Sequence, residues 1–145
     1  FRDKIDDIME QVKCPVAVFV NRNYREGALV SFVLGGMIDV FLLSYLNIML
    51  QNGHSVRLFL FETDDEEFHQ CIDDLLAHYA DQIVVVWFAG VEELVTKERD
   101  GLLVMSHLSY TNLSEDELVM RELSSLLVIR RNKNKGEKNE RLEIG

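Results

Sequence analysis

Few residues in this chain have the type and spacing for chemistry. Gly35-Gly36, just after an apolar run, leaves backbone N–H groups open at the start of a helical segment. That arrangement can hold an anion, and it can equally be a tight structural turn. Asp39 follows within one turn, where a carboxylate would repel a phosphate, and no Lys, Ser or Thr stands beside it to hold one. Ser106-His107 ends a later apolar run and supplies the one histidine expected near that turn. His54, His69 and His78 fall on a turn or on polar helix faces without metal-ligand spacing. Asp64-Asp65-Glu66-Glu67 opens a helix, where the helix dipole favours acids without any catalytic role. Ser106, Ser109 and Ser125 lack nucleophile-elbow glycines. No catalytic or metal-binding constellation emerges, so the expectation is a non-enzymatic protein.

The elements around these residues set the architecture. Phe1, Ile5, Ile8, Met9 and Val12 have helical spacing, and Pro15 ends that helix. Val16–Val20 reads as a short strand and Asn21–Gly27 as a loop. Ala28–Leu34 is a continuous apolar run, as in a strand covered on both faces. Met37–Gln51 is apolar except for a stripe of Ser44, Asn47 and Gln51 with Asp39 at its start. It is therefore expected as a largely buried helix, closed by Asn52-Gly53. At this length it is too short to span a bilayer, which takes about 20 apolar residues.

Val56–Phe61 and Ile83–Phe88 are strands flanking a helix from about Glu66 to Ala80, with Thr63 and Glu66 at capping-box spacing. A short helix over Val91–Arg99, a strand Leu102–Met105, a polar loop Ser106–Leu113, a helix opened by Ser114 and Glu117, and a strand Leu126–Ile129 complete the pattern. Repeated strand–helix units call for an α/β fold with helices on both faces of a parallel sheet. The economical arrangement is flavodoxin-like, five parallel strands in order 3-2-1-4-5. Its ligand crevice would lie beyond the first and fourth strands, with Gly35, Gly36, Asp39, Ser106 and His107 as the candidate ligand-binding residues around it.

The 145 residues suffice for one domain, here 28–130, and the net charge is −10. Residues 130–145 hold six Lys/Arg and three Glu, which leaves nine basic and 22 acidic side chains in the rest. An acidic body disfavours nucleic acid and anionic lipid as partners. Residues 131–145 are charged without hydrophobic period and are expected to be disordered. Cys14 and Cys71 lack metal or redox spacing and read as reduced core thiols. No signal peptide or membrane span is recognisable, and a first residue that is Phe makes an excised piece of a longer chain the expectation.

Two stretches carry a resemblance. Cys14-Pro15-Val16-Ala17-Val18-Phe19-Val20-Asn21-Arg22-Asn23 resembles a C-x-V-x-I-x-V-D-R-G segment, and Gly35–Tyr45 resembles G-G-x-D-D-x-x-A-L-x-Y. Both belong to the universal-stress-protein-like cytosolic C-terminal region of the monovalent cation/proton antiporters that include the plant cation/H⁺ exchangers and their bacterial relatives. Ile38 stands for the first Asp of the pair and Asn21 for the Asp of the closing strand.

The resemblance implies that residues 1–27 are the last helix and strand of a preceding repeat. Val16, Val18 and Val20 would pair antiparallel with the strand bearing Leu126 and Val128, as an extra edge strand. It implies a regulatory domain on the cytoplasmic side of the membrane that modulates transport through a ligand or partner. The partners would be the transmembrane domain of the parent antiporter and, by similarity, a second copy. The glycines of nucleotide-binding stress proteins are absent from Met105–Tyr110, so no nucleotide cofactor is expected. A free-standing nucleotide-binding stress protein and a ligand-free dimerisation module remain as alternatives.

Overall fold

A computed structural model describes residues 2–11, 16–95 and 100–131. Cys14, Pro15, the end of the expected helix over 91–99 and nearly all of the charged C-terminal segment lie outside the described residues. The elements are α1 (Arg2–Gln11), β1 (Val16–Val20), β2 (Val30–Leu34), a 3-10 segment Met37–Leu42, α2 (Leu43–Gln51), β3 (Val56–Phe61) and α3 (Glu66–Tyr79). They continue with β4 (Ile83–Phe88), a 3-10 turn Val91–Leu94, β5 (Leu102–Ser106), α4 (His107–Leu113), α5 (Glu117–Met120) and β6 (Ser125–Arg130).

The fold is a mixed α/β structure on one six-stranded sheet in the order β1-β6-β5-β2-β3-β4. β2 to β6 are parallel, and β1 alone runs antiparallel, pairing Val16 with Arg130 through to Val20 with Leu126. In β2, Ser31 to Leu34 are buried on both faces, the environment a continuous apolar run requires.

Two cores lie on opposite sides of the sheet. On one, Val33, Phe59, Phe88, Met105, Leu126 and Val128 pack with Ile5 and Met9 of α1, Tyr110 of α4 and Met120 of α5. On the other, Phe32, Leu34, Leu58, Leu60 and Val104 pack with Leu42, Leu46 and Leu50 and with Phe68 and Ile72 of α3. No helix among the described residues is long and apolar enough to cross a membrane.

Four local expectations are corrected. The segment after Gly36 starts as a 3-10 turn and only then becomes α2, and it is not buried all round. Leu42, Leu46 and Leu50 face the sheet, while Ile38, Tyr45 and Ile48 (58% exposed) face outward, because the sheet covers only one side of a helix. Ser106–Leu113 is not a loop: Ser106 ends β5 and caps α4, its hydroxyl accepting from the Ser109 N–H at 3.0 Å. Ser114 closes α4 and does not open the next helix; Asp116 caps α5. At α3 the cap is Asp65, accepting from the Glu67 and Phe68 N–H groups, two residues beyond the Thr63 position. The Asn52-Gly53 closure is present, with Gly53 at φ 85° and paired bonds from Gly53 to Leu50 and from His54 to Met49.

The Asn21-Arg22-Asn23 turn ties β1 to the far end of the chain. The Asn21 side chain accepts from the Tyr24 N–H. Asn23 takes φ 66°, a left-handed conformation that Asn tolerates better than most residues. The Arg22 guanidinium donates to the Met120 and Leu123 carbonyls at 2.7 and 3.1 Å, and its backbone N–H donates to the Ser125 hydroxyl. These carbonyls lie at and just beyond the end of α5, where a helix leaves its last C=O groups open to side-chain donors.

The segment 1–27 therefore contributes Ile5, Met9 and Val20 to the core and covers the β6 edge. Losing one large buried side chain costs about 2–5 kcal/mol. A fragment starting at Ala28 is expected to lose at least about 4 kcal/mol of unfolding free energy on that scale and to scatter light increasingly with concentration, as an open apolar strand edge does. Equal denaturation midpoints and equal solubility would show that β1 is dispensable.

Candidate functional site

The site is built around one carboxylate. Asp39 is 0% exposed, although it sits one turn into a segment whose other buried residues are apolar. Burying a carboxylate is costly unless every oxygen is satisfied. Here Oδ1 accepts from the Ser106 hydroxyl, and Oδ2 accepts from the Ser109 hydroxyl and from the Gly35 backbone N–H at 2.6 Å. Ser106 and Ser109 are themselves buried, at the β5–α4 junction. The network thus joins the carboxyl end of β2 to that of β5, the two neighbouring strands from which the chain leaves in opposite directions.

Both glycines follow from this geometry, for different reasons. A Cβ on Gly35 would lie 2.9 Å from Ser109 Oγ and 3.2 Å from Asp39 Oδ2, so a side chain would push apart the network. Gly36 has open space around it but adopts φ 154°, ψ −162°, a backbone region essentially reserved for glycine.

Beside the network lies a cleft of about 270 Å³ lined by Val33, Gly35, Phe61, Phe88, Ser109, Asn112 and Leu113. Its walls are mainly apolar and aromatic, with Phe61 and Phe88 packed edge to face at 5.5 Å. Beyond Phe88 the turn is held by the Glu93 carboxylate, which accepts from the Ala89 and Gly90 N–H groups at 2.6 and 2.8 Å. Those bonds, Ala89's first, lower the Glu93 pKa below its ordinary value.

The five residues expected at the crevice divide into three positions. Gly35, Asp39 and Ser106 come together in the buried network, and of these Gly35 also lines the cleft. Gly36 shapes the turn. His107 is directed elsewhere, its Nε2 lying 2.8 Å from Asp6 Oδ1 on α1. Ser109, Phe61, Phe88 and Asn112 were not singled out by sequence as site residues. The Ser106-x-x-Ser109 cap spacing was the available signal for Ser109; the aromatic pair comes from two strands and has none.

The position open to an anion in the sequence reading is filled from within. The Gly35 N–H that would face a phosphate already donates to Asp39. Among the described residues, no group of three or more His, Cys, Asp or Glu side chains could hold a metal ion. Cys71 is a free, half-buried thiol. The chain matches no protein-family model, no curated protein and no solved structure.

Two outcomes follow. Asp39→Leu keeps the branching and heavy-atom count of the side chain but strands three donors, each costing about 1–3 kcal/mol, and adds methyl bulk, so it should lower unfolding free energy by at least about 3 kcal/mol. Asp39→Asn can still accept from Gly35 and Ser109 while its amide donates to the Ser106 oxygen, and should cost about half as much or less. Equal losses in the two variants, measured by denaturant unfolding, would contradict the network. Second, ATP, AMP and cyclic di-AMP should leave the melting temperature unchanged. A ligand present at 100 times its Kd would instead stabilise by about 2.7 kcal/mol.

Proposed function

We propose that this chain is a regulatory domain from the cytosolic region of a membrane monovalent cation/proton antiporter, and that it acts by binding a partner rather than by catalysis. The sheet is read as flavodoxin-like and universal-stress-protein-like, its parallel strands β4-β3-β2-β5-β6 corresponding to the order 3-2-1-4-5. The observation that carries the proposal is the antiparallel closure of β1 on β6 followed directly by the Asn21-Arg22-Asn23 clamp onto α5. In the resembling antiporter regions the equivalent strand closes a preceding repeat. A strand of that origin that completes the next sheet makes the two repeats one mechanical unit, which is how a tail domain passes a change of state toward a transporter. The filled anion position supports a reading in which nucleotide phosphate is not the signal.

Regulation of this kind is a difference in affinity between two transporter states. In everted membrane vesicles carrying the parent antiporter, deleting this domain should change cation-driven proton release by about fivefold or more, the usual lower range of allosteric coupling. Identical rates across pH and cation concentration, with equal amounts of transporter in the membrane, would refute the proposal.

A further inference from the structure

The two edges of the sheet differ in what they offer. β1 is a five-residue strand preceded in sequence by Pro15, a residue that blunts pairing at an edge. β4, at the other edge, is Ile83-Val84-Val85-Val86-Trp87-Phe88, without a charge, a proline or a glycine. Among the described residues it pairs with β3 alone.

The direction of its backbone groups can be derived. The Gln82 and Phe88 carbonyls both accept from the β3 side, from Val56 and Glu62. Backbone direction alternates with period two in a strand. Val84 and Val86 therefore also turn toward β3, and Ile83, Val85 and Trp87 turn N–H and C=O outward. The side chains alternate in the same way. Trp87 stacks on His69 of α3 at 4.8 Å, while Val84, on the other face, is 63% exposed. A valine so exposed on an uncharged edge strand leaves apolar surface that a partner strand could cover.

We propose that β4 is a dimerisation edge, pairing antiparallel with β4 of a second copy about a two-fold axis through Val85. In an antiparallel ladder, residues with outward N–H and C=O must face each other as mutually bonded pairs. Only registers that place Ile83, Val85 and Trp87 against one another satisfy this, and centring on Val85 uses all three. Ile83 then faces the partner's Trp87, and Val85 faces its own copy, giving about six hydrogen bonds across the axis. In the same register Val84 lies opposite the partner's Val86, so the exposed valine gains an apolar cross-strand neighbour. Asp81 lies opposite the partner's Ala89, so no like charges in the paired strands oppose each other. The interface is isologous, as a closed dimer needs, and joins two six-stranded sheets into one. It does not depend on the antiporter assignment, and it differs from pairing through the last parallel strand, since β1 already covers β6.

The test is the mass of the full chain in solution by light scattering after size exclusion. At about 100 μM, where micromolar contacts are largely formed, two chains are expected. Val84→Lys, at a site the monomer leaves open to water, should return the mass to one chain, with the same unfolding midpoint as the parent chain once both are diluted to where the parent is monomeric. Register is read separately. In a Cys14→Ser, Cys71→Ser background, Val85→Cys should oxidise to a covalent dimer, since opposed residues in such a pair lie about 5.5 Å apart, within disulfide reach. A single-chain mass at all concentrations, or a dimer untouched by Val84→Lys, would overturn the proposal. So would a dimer that Phe19→Lys on β1 dissociates and Val84→Lys does not.

Discussion

A buried carboxylate with three donors is the constraint on which the middle of this molecule depends. Asp39 is fully removed from water, so each of its hydrogen bonds is made in a medium where an unmade one is expensive. The donors come from two places: the Gly35 backbone at the end of β2, and two serines at the start of α4. Satisfying the carboxylate therefore fixes the distance between the ends of β2 and β5. It also demands a glycine at 35, where any side chain would enter the network, and sets Ser106 to serve at once as helix cap and as donor. In many open parallel sheets this position is where a ligand sits. Here an internal anion occupies it, which turns a binding crevice into a structural joint and leaves an uncharged, aromatic-walled cleft beside it.

The edges of the sheet extend that logic. On one side the chain supplies its own cover, β1, locked by Arg22 onto the carbonyls of Met120 and Leu123 at and just after the end of α5. On the other side the most strongly β-forming strand, β4, pairs with β3 alone among the described residues. Among the described residues, then, one edge of the sheet is finished by the chain itself, the other pairs on one side only, and the centre between β2 and β5 is filled from within. The acidic body is consistent with partners that are neither nucleic acid nor anionic membrane surface.

Much of the fold was legible in the sequence, and the reasons can be read residue by residue. Val30–Leu34 is apolar but for Ser31, and Val56–Phe61 but for Arg57, because nearly every position on both faces of these strands is covered, and that burial writes itself into composition. Phe68 and Ile72 mark the α3 face because one side of an amphipathic helix must meet the sheet. α4 escaped because seven residues are too few to show a period, and because its cap, Ser106, also belongs to a strand. Ile38, Tyr45 and Ile48 misled in the opposite sense: apolar residues on every side suggest burial, but the sheet has only one surface to give.

Sequence by itself determined where the strands and α3 form, which face of α3 is buried and the need for glycine after β2, since these rest on short-range spacing and local steric limits. Tertiary structure alone decided what Asp39 does. Its serine partners lie 67 and 70 residues further along the chain, and nothing local distinguishes a carboxylate facing solvent from one facing two hydroxyls. It likewise decided that His107 meets Asp6 rather than the crevice, and that β4 takes the edge of the sheet opposite β1. Each of these depends on which strands become neighbours, a choice made by the collective packing of both cores and not by any one segment.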